Sequence, residues 1–256
     1  MEAQPAPTPR LYSPAASILI TVFVYFAAQI IAGLGIALVP AVRHQAAGQV
    51  ENLINNNVWA TFGYILVTET LTLWMIHAFI KRRHITFRTL GLNKFQLKYL
   101  GYALTGFVVY FALYIVGLAI VKQLAPGLNL EQKQELGFNT STTGGASLWP
   151  VFISLVILPP LTEEIVVRGF LFGGLRTKLN FANAAVIASA LFAAAHLGEG
   201  GSAGPLWIAA VDTFILSLVL CYLREKTRSL WPSIGVHMIK NGLAFMVLFN
   251  VLGNIR

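Results

Sequence analysis

The chain has 256 residues, of which 56% are hydrophobic and 11% charged, with a formal net charge of +8 and a mean hydropathy of +0.69. Long apolar runs with so few charges exclude an ordinary soluble domain and point to an all-α, polytopic transmembrane helical bundle with the lipid bilayer as its first partner. The basic residues fall between the hydrophobic runs, which is a topology signal, so nucleic acid is not an expected partner.

Residues 1–14 are Pro-rich and polar and are expected to form a disordered cytoplasmic tail. Ala15 to Val39 reads as a first spanning helix, too long for a signal-peptide core and without a convincing cleavage site, hence an uncleaved anchor. A polar stretch from Pro40 to Asn57 leads to a second span, Val58 to Ile80, which ends at Lys81-Arg82-Arg83-His84. A basic linker precedes the third span, Tyr99 to Val121, and a loop holding Pro126, Gly127, Gly137 and Gly144-Gly145 follows to Ala146. Ser147 to Lys178 is a fourth apolar segment. Pro159-Pro160 is expected to break or kink it, because neither residue can donate to the helical ladder. Broken helices at membrane depth are tolerated where they line protein or a wet cavity.

Phe181 to Leu197 is a short fifth span, Pro205 to Leu223 a sixth, and Trp231 to Leu252 a seventh. No internal repeat is visible. With the N-terminus inside, the inner loops carry Arg10, the run from Lys81 to Lys98, Arg168, Arg176, Lys178, Arg224, Lys226 and Arg228, against only Arg43, Lys122, Lys133 and Arg256 outside. The positive-inside rule therefore expects a cytoplasmic N-terminus and an external C-terminus. The chain divides into the tail, the N-terminal transmembrane helices and loops over 15–146, and a C-terminal transmembrane core over 147–256.

That core holds the residues that need a reason. Glu163, Glu164 and Arg168 cluster in an apolar segment, although an ionised side chain in hydrocarbon costs at least ~2.5–3.5 kcal/mol. On a helix Glu164 and Arg168 stand at i,i+4 and can pair, while Glu163 is rotated by about 100° and has no such partner. His196 ends the fifth span. His237 and Asn241, one turn apart, share a face of the seventh. A free Glu, two His and an Asn suit a water-activating site: the carboxylate takes a proton, imidazole holds the water or a metal, and an amide or imidazole donor stabilises the oxyanion. No Gly-x-Ser-x-Gly elbow or His-Glu-x-x-His helix is present. The single cysteine, Cys221, excludes a cysteine-rich metal site. Counting ~1.5 Å per residue, Asp212 and Lys240 reach similar depths and can pair. Glu69, in the second span, either lines the cavity or bonds within the bundle. The same count places His196 near the outer end of its helix, so a site shared with Glu163 requires tilt, a submerged helix start or a re-entrant path through Gly198–Gly204.

Glu163-Glu164-x-x-x-Arg168, Phe192-x-x-x-His196 and His237-x-x-x-Asn241 resemble, in order, the motifs of the CAAX prenyl protease 2 and bacteriocin-processing (CPBP, or Abi) family of intramembrane proteases. The resemblance covers roughly residues 150–245. It implies peptide-bond hydrolysis within the membrane, with Glu163 and His196 activating water and His237 and Asn241 holding the oxyanion or completing a metal site. Glu164 and Arg168 would then be structural support. If the enzyme is metal-dependent, zinc is the candidate, and Glu163, His196 and His237 would be its ligands. The implied substrate is a membrane-tethered or lipidated protein or peptide, and the expected location is the plasma membrane of a prokaryote. Two other readings stand beside this one. The first is a proton- or cation-coupled transporter using Glu163, Glu69 and Asp212. The second is a non-catalytic immunity or scaffold member of the same fold.

Overall fold

In lipid every backbone polar group must be satisfied within the chain, so apolar runs of this length fold as helices. The computed structural model describes residues 11–42, 57–132, 134, 137–138 and 144–251, and contains no strand among them. Its helices are α1 (Pro14–Val42), α2 (Val58–Lys81), α3 (Lys98–Leu124), α4 (the continuous run Gly145–Leu175), α5 (Phe181–Ala195), α6 (Trp207–Thr227) and α7 (Trp231–Leu248). Six of them, α1 to α6, are long and apolar enough to cross a membrane, with α5 counted through Glu199. The chain is a multi-pass membrane protein. The segment expected as a seventh span forms α7, which is not among the six because His237, Lys240 and Asn241 interrupt its apolar run. It packs against α3, α6 and the middle of α4.

Local signals explain the helix boundaries. The Asn57 side chain caps α2 by accepting from the backbone N–H groups of Trp59 and Ala60, at 3.0 and 3.1 Å. Asn180 caps α5 in the same way through Asn183 N–H at 2.9 Å. At the other end of α2, residues 82–97 fold back over the turn between α6 and α7. Leu230 N–H donates to Gly91 O at 2.9 Å, Trp231 Nε1 to Asn93 O at 2.6 Å, and Ser229 Oγ to Asn93 Oδ1 at 2.8 Å. Gly91 has φ +105°, a conformation that favours glycine, and a Cβ there would lie 2.8 Å from the Arg224 guanidinium and displace it. This clasp fixes the start of α7, and with it the depth of His237.

Two expectations change. Of the expected tail, residues 11–14 are placed and packed, while 1–10 lie outside the described residues. Tyr12 is buried, donates to Phe79 O at 2.9 Å, and lies under the Arg83 guanidinium at 4.6 Å. Most of the polar stretch after α1 likewise lies outside the described residues. Second, Pro159-Pro160 does not break the fourth segment. The helix widens instead into π turns over Ile153–Ile157 and Glu164–Leu171, with Leu158 N–H donating five residues back to Ile153 O. Such single-turn widenings inside helices are frequent at functional sites.

Candidate active site

The prolines create a defect that the site's own residues repair. In an α-helix the Leu155 carbonyl would accept from residue 159, and in a π turn from residue 160, but both are proline and carry no N–H. Asn241 Nδ2, from α7, donates to that carbonyl at 2.9 Å. One of the two amide hydrogens expected at the oxyanion is thus committed to the backbone of α4. Asn241→Leu keeps the volume and strands a carbonyl inside the bundle, so a loss of about 1–3 kcal/mol is expected, measurable as a lowered unfolding midpoint in detergent. An unchanged midpoint would mean that the carbonyl finds another donor.

Glu163 ends the α-helical turn that contains the prolines, and Glu164 opens the second π stretch. Glu164 is fully buried, and its Oε1 accepts from Arg168 Nη1 at 2.9 Å, the expected i,i+4 pair, and from His237 Nδ1 at 3.1 Å. A carboxylate oxygen accepts, so the proton of this bond sits on Nδ1, and the neutral ring presents a lone pair at Nε2. That Nε2 lies 3.7 Å from Glu163 Oε2, a buried oxygen with no hydrogen-bond partner among the described residues.

His196 caps the end of α5. Beyond it the chain continues through the 3₁₀ segment His196–Ala203, closed by Leu206 N–H to Leu197 O at 2.9 Å. The Phe192 ring joins the parts: its centroid lies 4.6 Å from that of His196, 6.1 Å from that of His237, and 4.4 Å from Arg168 Cζ. The cation over the ring face adds attraction where water is absent.

The pairing within the cluster differs from the one the motif resemblance implies. Glu163 stands against His237, whereas His196 faces Glu199, with Nε2 3.8 Å from Glu199 Oε1 and Nδ1 2.8 Å from Phe192 O. Glu199 also accepts from Gln134 Nε2 at 2.8 Å. Sequence reasoning passed over Glu199, although an acid three residues beyond a candidate His, among glycines, was a signal. Glu69 hydrogen-bonds the side chain of Thr162 and lies within electrostatic range of Glu163, so it borders the site. Lys240 Nζ is 3.0 Å from Asp212 Oδ2, as the depth count expects, and Tyr110 OH donates to Asp212 Oδ1.

A catalytic zinc needs three protein ligands at about 2.0–2.2 Å. Among the described residues no group of three or more His, Cys, Asp or Glu side chains is arranged to hold a metal ion. Glu163, His196 and His237 as placed do not fit that role.

These features define an all-helical, multi-pass membrane protein with a carboxylate–imidazole cluster between α4, α5 and α7. Residues 145–243 match the family model described as type II CAAX prenyl endopeptidase Rce1-like. The match runs from the start of α4 into α7 and takes in Glu163, Glu164, Arg168, His196, His237 and Asn241. No curated protein and no solved structure matches the chain.

Proposed function

We propose that the protein is an intramembrane endopeptidase that cleaves near the C-terminus of a prenylated, membrane-tethered protein. The observation that carries this reading is the unpartnered Glu163 Oε2 facing the lone pair of His237 Nε2 at 3.7 Å. A water placed about 2.8 Å from each donates one hydrogen to the carboxylate and the other to the imidazole. Its oxygen lone pairs then face outward. As that oxygen adds to the substrate carbonyl carbon, Glu163 Oε2 takes a proton. The C–N bond then breaks, Glu163 returns the proton to the leaving nitrogen, and the products are a carboxylic acid and an amine. The second amide hydrogen of Asn241 is the donor left for the oxyanion that forms between these steps, because His196 gives its Nδ1–H to Phe192 O and carries a lone pair at Nε2. Glu164 and Arg168 hold His237 in the tautomer this needs.

The test is hydrolysis of a farnesylated CAAX peptide by purified protein, with a non-prenylated peptide as control and a chelator in parallel. Cleavage of the prenylated peptide that survives chelation supports a water activated by Glu163. Activity abolished by chelator and restored by zinc would replace that mechanism with a metal-dependent one, and no cleavage of either peptide would sink the protease reading.

The orientation proposed is a cytoplasmic N-terminus in a prokaryotic plasma membrane, from the basic residues gathered at the end of the bundle that holds the 82–97 linker. A reporter fused after Lys94 should read cytoplasmic and one after Arg256 external. A cytoplasmic signal from the second would mean that α7 does not cross.

A further inference from the structure

Lys240 lies three residues beyond His237 on α7, ~4.5 Å further along the axis. Its ammonium has three N–H donors and one acceptor among the described residues, Asp212, at 3.0 Å. Asp212 is itself held by Tyr110 from α3, so the pair is anchored from three helices. The Lys240 side chain is 24% open. The ammonium is also within electrostatic range of Glu163 and Glu199. Arg168, the other cation of the cluster, is fully buried and engaged with Glu164 and Phe192. Among the described residues, Lys240 is thus the cation beside the cluster with donors to spare and an open side.

We infer that Lys240, steadied by Asp212 and Tyr110, is the receptor for the substrate's C-terminal carboxylate. This rests on the protease reading above. The carboxylates of Glu163 and Glu199 repel an anionic tail, so the terminus needs this cation to be accepted. An amidated terminus lacks the charge and should lose most of the interaction.

The experiment compares a farnesylated peptide ending in a free CAAX carboxylate with its C-terminal amide, in two measurements. Binding is measured by calorimetry on Glu163→Gln protein, so that it does not depend on hydrolysis, and kcat/KM is measured on otherwise wild-type protein. The free acid is expected to bind at least about tenfold more tightly than the amide, as for loss of a charged hydrogen bond. Adding Lys240→Met should bring that ratio close to one by weakening only the acid, and Lys240→Arg should restore it. In kinetics Lys240→Met should raise KM for the acid and leave the amide nearly unchanged. Equal weakening of both peptides by Lys240→Met, or no acid preference in the parent, would overturn the inference and leave a purely structural pair. Should wild-type protein cleave neither peptide while the binding preference and its loss in Lys240→Met hold, the protease reading fails and the carboxylate receptor stands.

Discussion

Glu163→Gln is expected to reduce hydrolysis of a farnesylated peptide by at least 10²–10⁴-fold, the usual contribution of a positioned general base, while the protein folds as before. The asymmetry follows from the hydrogen bonds. Glu163 Oε2 has no hydrogen-bond partner among the described residues, so an isosteric amide removes the base without breaking a hydrogen bond of that oxygen. Activity should be followed together with the thermal midpoint in detergent. A variant within tenfold of wild type would remove Glu163 from the chemistry, and one that fails to fold would show a structural role that the contacts do not suggest.

Glu164→Gln should have the opposite signature. Its Oε1 accepts from both Arg168 and His237, and all three side chains are buried. Breaking a buried ion pair by removing one partner costs roughly 3–5 kcal/mol, because the other charge is left uncompensated. The variant should therefore unfold at clearly lower temperature or denaturant. What activity remains should fall as well, since His237 loses the bond that sets its tautomer. The double variant Glu164→Gln/Arg168→Met should be less destabilised than the sum of the two single variants, as expected for residues in direct contact. If Glu164→Gln is as stable as wild type and only inactive, the roles of the two glutamates are reversed.

The parts of this architecture that depend on composition and depth were legible in the sequence. Hydropathy locates the spans, i,i+4 spacing gives Glu164–Arg168, and counting residues from the helix ends gives Asp212–Lys240. What escaped depends on local backbone geometry. Pro159-Pro160 signals a lost N–H but does not say whether the helix kinks or widens. The answer is a π turn, with a side chain 86 residues away supplying the missing donor. The surroundings of His196 do not follow from counting residues along a helix, because the chain passes there from α5 into a 3₁₀ segment. Phe192 was visible as a motif position without a role. Its function as the ring shared by His196, His237 and Arg168 is a property of three helices meeting. Glu199 and Gln134 come together across a loop, which no periodicity reports.

The carbonyl of Leu155 also bears on how the chain is made. Spanning segments leave the ribosome in order, and α4 is synthesised some eighty residues before the amide of Asn241 exists. Throughout that interval the double-proline turn has a backbone acceptor that neither an α nor a π register can satisfy, and in lipid an unsatisfied group costs several kcal/mol. Water or the insertion machinery must supply the donor until α7 arrives. A chain that ends before residue 241 therefore leaves α4 as a poor membrane segment, open to quality-control proteolysis. Joining α7 to the bundle becomes the step at which biogenesis closes, and the same helix then carries His237 to the site.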